Sequence, residues 1–155
     1  MPDVKLPDSP FDALLGTEFL SDDPDGARAR IKMRDGHRQP MGIIHGGVMA
    51  SLVESLCSMA TAKAVVPENR IAMGQNLSVN LLRPVSSGGI EVEAVAVHRG
   101  RMTWVWRAGV KDLDGRTCAI AQITMAIRDA PDGLNLGFLV KGEQEEAEGA
   151  AEPEA

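Results

Sequence analysis

The sequence predicts a single α+β domain in which a curved antiparallel sheet wraps around one long central helix. Three observations lead there. From Gly46 to about Val66 almost every residue is apolar or small, Ala, Leu and Met are plentiful, and Pro67 supplies a stop. Four later segments, at about 71–83, 90–99, 102–112 and 116–128, carry the composition and alternation of strands. The links between them are too short for helical crossovers, which predicts antiparallel neighbours in a meander.

Taken in order, the opening MPDVKLPDSP is rich in Pro and Asp and reads as a flexible arm over residues 1–9. FDALLG follows as one or two helical turns ended by Gly16. In GARARIKMR, Ala27, Ala29, Ile31 and Met33 alternate with Arg28, Arg30, Lys32 and Arg34, the period of a strand with one wet face. On the central helix, Ser51, Glu54, Ser55, Ser58 and Thr61 recur at spacings of three and four and form one narrow polar stripe. A helix apolar over the rest of its circumference belongs inside other structure. Pro84 with SSGG, then Arg99-Gly100-Arg101, then DLDG at 112–115 punctuate the strands. The domain runs over 10–139, and an acidic, disordered tail occupies 140–155.

The 155 residues suffice for one domain that needs no staples, and the formal charge is −6. Six glutamates against one lysine from Lys141 onward account for nearly all of that charge, so the body is close to neutral. Without a basic stripe or any tyrosine, the chain offers nothing to nucleic acid. No signal-like segment and no run of about 18 consecutive apolar residues argues for a membrane. Cys57 and Cys118 lie in apolar segments without metal or redox spacing, as reduced core residues of a cytoplasmic protein would.

Between Arg38 and Lys63, Glu54 is the one residue with a certain charge at neutral pH. Burying an unpaired carboxylate is costly, so its presence there points to use. Upstream, His45-Gly46-Gly47 offers an imidazole and unpaired backbone N–H groups at a helix N-terminus, where the dipole favours negative charge. Gly46 lets a substrate approach the backbone, and the Gln39 amide adds a second donor for a polarised carbonyl oxygen. Glu54 then attacks that carbonyl or activates a water, and Ser58, one turn on, holds the water. This is the composition of an acyl-transfer or hydrolysis site.

Helix geometry separates His45 from Glu54. Nine residues at about 100° each put them on opposite sides of a helix and roughly 13 Å apart along it. If both serve one site, the simplest arrangement is a two-fold dimer in which His45 and Gly46 of one subunit face Glu54 of the other. Composition alone leaves plainer readings open: a His beside two glycines is more often a capping or turn residue than a catalyst, and a single helix Glu is usually solvated, whereas Cys57 as a nucleophile lacks a suitable base nearby. His37, His45 and His98 lack ligand spacing, so no metal is expected, and the glycine pair lacks the Lys-Ser/Thr of a P-loop.

QPMGIIHGGVMASLVES, GQNLSVNLLRPVSSG and HRGRMTWVW together resemble the hotdog-fold acyl-CoA thioesterases, over about residues 10–130. The likeness is to the phenylacetate-degradation type within the 4-hydroxybenzoyl-CoA thioesterase superfamily. The pairing of Gln39 with Glu54, where many members carry Asn and Asp, favours the branch with 1,4-dihydroxy-2-naphthoyl-CoA and 4-hydroxybenzoyl-CoA thioesterases. The resemblance implies a hotdog fold, edge-to-edge homodimers with composite sites, and homotetramers built from two dimers. It also implies roles. The Gly46 N–H and Gln39 polarise the thioester carbonyl, with Gly47 beside them, while His45 orients the thioester or Gln39. Ser58 positions water, and Glu54 of the neighbouring subunit is nucleophile or general base. Coenzyme A falls to Gly74, to Leu81, Leu82, Arg83 and Pro84, and to the turn His98, Arg99, Gly100, Arg101, Met102 and Thr103.

The expected activity is hydrolysis of an aromatic or medium-chain acyl-CoA to free acid and coenzyme A, with no metal or cofactor. Two alternatives stand beside it: a hotdog thioester hydratase or dehydratase, and a non-catalytic acyl-CoA-binding protein.

Overall fold

The computed structural model describes residues 4–140. The first three residues of the arm and the acidic tail beyond residue 140 lie outside them. The architecture is one long helix against a six-stranded antiparallel sheet, the hotdog arrangement that the resemblance implies.

A short helix, α1 (Pro10–Leu15), starts at Ser9, whose hydroxyl accepts the Asp12 N–H at 3.1 Å, and ends at Gly16. Strand β1 (Thr17–Ser21) follows and pairs with β2 (Ala27–Lys32). The sequence pattern assigned no element to β1, because five residues of which only Phe19 and Leu20 are apolar carry too little alternation to signal a strand. Its strand character comes from the pairing with β2. In β2 the expected alternation holds, with Ala27, Ala29 and Ile31 buried and the basic residues turned away from the core.

The central helix α2 (Gly46–Val65) has the predicted start and stops one residue early, in a 3-10 turn through Pro67. By length and composition it could cross a membrane. Its apolarity is that of a core helix, however: it touches β2 and each of the four strands β3 (Arg70–Leu81), β4 (Gly89–Arg99), β5 (Thr103–Asp112) and β6 (Thr117–Asp129). Leu52, Val53, Leu56 and Cys57 are fully buried against Ile31, Ile90, Trp106, Ile123, Met125 and Ile127. Each such side chain contributes about 1.5–3 kcal/mol by leaving water.

The strand order is β1-β2-β4-β5-β6-β3, and this corrects one expectation. Strands β3 and β4 are not neighbours. Helix α2 delivers the chain to the far side of β6, where β3 pairs along its whole length. Residues 82–88 then cross beside the β5–β6 turn to begin β4 next to β2. Seven residues at about 3.3 Å each span the roughly 14 Å that separates strands three places apart. Strand β3 is thus an edge strand, with β6 on one side only. After β6 the chain returns to pack Leu136 and Val140 on Val66, and Val4 of the arm is buried there, bridged to Val140.

Candidate active site

The loop before α2 is held by its own backbone. The His45 N–H donates to the His37 carbonyl at 2.8 Å, the Gln39 N–H to Ile43 at 2.9 Å, and the Gly42 N–H back to Gln39 at 2.8 Å. Within this turn the Gln39 Oε1 accepts the Met41 N–H at 2.7 Å. The amide oxygen is therefore engaged, and the Gln39 NH₂ has no acceptor among the described residues.

His45 caps α2: its Nδ1 accepts the Gly47 N–H at 2.9 Å, which leaves Nε2 as the donor of the ring. That bond occupies Gly47. The Gly46 N–H, first in the helix, has no acceptor among the described residues. A Cβ at Gly46 would lie 2.3 Å from Leu81 Cδ1, so a side chain there would require the exposed Leu81 side chain to turn aside. Gln39, Gly46, Leu81, Leu82, Arg83 and Pro84 all line one cavity of about 310 Å³, whose apolar remainder is Ile43, Ile44 and Met49. Sequence reasoning had not connected Ile43 and Ile44 to the site. Their contribution depends on the fold of the turn, which their residue types do not reveal.

Further along α2 lies a second group. Glu54 is half-buried, and its Oε1 accepts the Ser58 hydroxyl at 2.9 Å. Gly74 of β3 packs directly over it, so that a Cβ at Gly74 would come within 3.0 Å of the same oxygen. The Ser58 hydroxyl also lies 4.0 Å from Met125 Sδ. The polar stripe continues into the core, where the Thr61 hydroxyl donates to the Cys57 carbonyl at 2.6 Å and accepts the Trp106 indole N–H at 2.9 Å. Burial, reinforced by the Glu54 charge, raises the Cys57 thiol far above the ordinary thiol range, which suits a core residue and not a nucleophile.

Within one chain the two groups are separate: Glu54, Ser58 and Gly74 do not line the cavity of Gln39 and Gly46. The β4–β5 turn goes with the Glu54 group, because Trp104 pairs with Met125 and Met125 pairs with Gly74. In that turn the Arg99 guanidinium stacks 5.6 Å from the Trp104 ring centre and is ion-paired to Asp25. Met102 and Arg101 lend their carbonyls to Arg128 and Arg70, while the Arg101 side chain is exposed beside His98 and Gly100. Leu81 to Pro84 sit at the opposite end of β3, next to Ala119 and Cys118.

Among the described residues no cluster of three or more His, Cys, Asp or Glu side chains could hold a metal ion. A larger hollow, about 690 Å³, lies on the face of the sheet away from α2, with Arg28, Glu93, Arg107 and Gln122 around it. It holds none of the candidate residues; of its charged groups, Arg28 is paired with Glu91 and Glu93 with Lys111.

Residues 41–119 match the family model described as the thioesterase superfamily. The chain is 35% identical over 118 residues to a Mycobacterium tuberculosis protein provisionally named an esterase, covering 75% of this chain and 84% of that one. It is 29% identical over 114 residues to the 1,4-dihydroxy-2-naphthoyl-CoA hydrolase of Listeria monocytogenes, with coverage of 74% and 92%. A thioesterase structure from Pseudomonas aeruginosa superposes with a TM-score of 0.72 at 34% identity, covering 76% of this chain and 84% of that one. For a Haemophilus influenzae thioesterase the TM-score is 0.74 at 26% identity, with 79% and 85% covered.

Proposed function

The chain belongs to the thioesterase superfamily and is a thioester hydrolase, and from that premise we propose that it cleaves an aromatic or medium-chain acyl-CoA to free acid and coenzyme A. One observation carries the reading. Gly46, whose helix N-terminal N–H is unpaired, and Gln39, whose NH₂ has no acceptor among the described residues, line a single cavity. Two donors of this kind stabilise the oxyanion that forms as a thioester carbonyl is attacked. The apolar walls exclude water and strengthen both hydrogen bonds.

Glu54 supplies the attack, as nucleophile or as the base that deprotonates water, and Ser58 holds the carboxylate in place. The coenzyme A thiolate leaves and takes up a proton; in the nucleophilic route, water then opens the acyl–Glu54 anhydride, which releases the acid and restores the carboxylate. Gln39 and Gly46 of one chain do not reach Glu54 of the same chain, so the working site is composite. What supports this is the open edge of β3, which carries Gly74 over Glu54 and Leu81 over Gly46. Antiparallel pairing of two such edges about a two-fold axis runs each strand toward the opposite end of its partner. It brings Glu54 of one copy toward Gly46 of the other. In this reading Arg99 and Arg101 meet the nucleotide phosphates, and two dimers assemble as a tetramer. The 1,4-dihydroxy-2-naphthoyl-CoA hydrolase relative supports an aromatic substrate.

The test is release of free thiol from benzoyl-, phenylacetyl- and 1,4-dihydroxy-2-naphthoyl-CoA by the purified protein and by Glu54→Ala. Turnover by the wild type and its loss in the variant is the expected result. Full activity in Glu54→Ala overturns the role of Glu54, and hydration of crotonyl-CoA without thiol release overturns hydrolysis.

A further inference from the structure

We propose that Arg38 is a positioning residue for the Gln39 amide, acting as a clamp that ties the Gln39 turn to the opposite wall of the cavity; the proposal rests on the thioesterase reading above. Arg38 stands beside Gln39 in sequence, but its side chain turns away from the cavity. Its guanidinium donates to the Gly42 carbonyl and, at 3.1 Å, to the Ser86 carbonyl, and its Nε reaches Asp35 Oδ1 at 3.3 Å.

These three acceptors do different things. Gly42 closes the turn whose own N–H bonds back to the Gln39 carbonyl, the turn that also presents the Met41 N–H to Gln39 Oε1. Ser86 belongs to the link 82–88, whose first residues Leu82, Arg83 and Pro84 form the other wall of the cavity. Asp35 is fully exposed and adds little. The same gap is crossed by one backbone bond, from the Ile44 N–H to the Val85 carbonyl at 2.8 Å. Arg38 adds the second tie, and two ties fix an angle that one leaves free. Both carbonyls are served by one terminal nitrogen, Nη1, whose two N–H bonds are held in fixed directions by the guanidinium plane, whereas the N–H bonds of an ammonium group rotate freely on a flexible stem.

Arg38 is the last Lys or Arg before Lys63. A solvated surface arginine in that place would leave the Gln39 amide indifferent to its loss. A clamp would not, because an oxyanion donor displaced by a fraction of an ångström loses most of its effect on the transition state while substrate binding persists.

The experiment compares wild type, Arg38→Met, Arg38→Lys, Gln39→Ala and the double variant Arg38→Met/Gln39→Ala in steady-state thiol release. The substrate is whichever of the three acyl-CoA compounds the wild type turns over fastest. For Arg38→Met, kcat is expected to fall by about 10- to 100-fold with KM within about threefold of wild type. Arg38→Lys recovers part of that loss. The double variant is no slower than Gln39→Ala alone, since the clamp has nothing left to position. An unchanged kcat in Arg38→Met, or losses that multiply in the double variant, overturns the proposal. Amide hydrogen exchange at Met41 and Gly42 decides the matter independently of turnover. Faster exchange at both in Arg38→Met, with an unchanged melting temperature, supports the clamp, and unchanged exchange overturns it. Should the wild type release no thiol at all, the thioesterase reading fails, and the exchange result still states whether Arg38 holds the turn.

Discussion

At the N-terminus of α2 the groups of the proposed site are a backbone N–H and an amide, both placed by hydrogen bonds to the main chain within residues 37–47. Two and a half turns further on, the groups are side chains, Glu54 and Ser58, placed one above the other by helical periodicity alone. The first half owes its geometry to the loop and responds to anything that moves backbone. The second owes it to residue identity on a rigid helix and responds to the loss of a functional group. Mutations in the two halves therefore fail in different ways.

Loss of the Glu54 carboxylate should be the most severe, with kcat down by about 10³-fold or more and the melting temperature held or raised, because a half-buried charge has been removed. Next comes Gln39→Ala, for which thiol-release kinetics should show a loss of about 100-fold in kcat with little change in KM, the mark of a donor engaged in the transition state. Gly46→Ala tests the loop half through sterics. Its new methyl group meets Leu81, and a loss of about tenfold is expected. Leu81→Ala in the same chain should restore part of it. If the double variant recovers nothing, the Gly46 requirement lies in the backbone and not in the contact with Leu81.

The smallest effect concerns pH. His37 is buried beneath the loop, its Nδ1 accepting the Arg34 N–H at 3.2 Å and its carbonyl receiving His45. Burial, aided by the Arg34 charge and opposed by the Leu15 carbonyl, pushes the imidazole below the ordinary histidine range. The folded protein then binds fewer protons at this site than the unfolded chain. Stability is lost as pH falls from about 6.5 through the lowered folded value, and it is unaffected above that window. Denaturation midpoints measured across pH 7 to 5 should fall less in His37→Asn, which keeps an acceptor for Arg34 but does not titrate there. Equal slopes for the two proteins would remove His37 from the account.

Much of this was legible in the chain. The boundaries of α2 and of β3 to β6 follow from local signals, apolar content and Gly or Pro punctuation, and they agree with the structure to within a residue or two. The strand β2 was legible because Ala, Ala and Ile alternate with bases. Its partner β1 was not, since an edge strand of five residues takes its conformation from a neighbour. Glu54, His45, Gly46 and Gln39 stood out as residue types in unusual settings. Which N–H remains free among them did not, because His45 could cap or bind and the side-chain turn at Gln39 has no sequence signature.

Periodicity and residue chemistry, both local properties, were enough to establish one apolar helix, long strands and a lone carboxylate nine residues from a His-Gly-Gly motif. The tertiary structure alone decided that β3 lies beyond β6 and not beside β4, and that Leu81 covers Gly46 while Gly74 covers Glu54. Strand order and such contacts are set by hydrogen bonds and packing between residues far apart in the chain, and a local pattern is compatible with several of them. The two halves of the site are readable one at a time. Their separation along β3 is a property of the folded sheet.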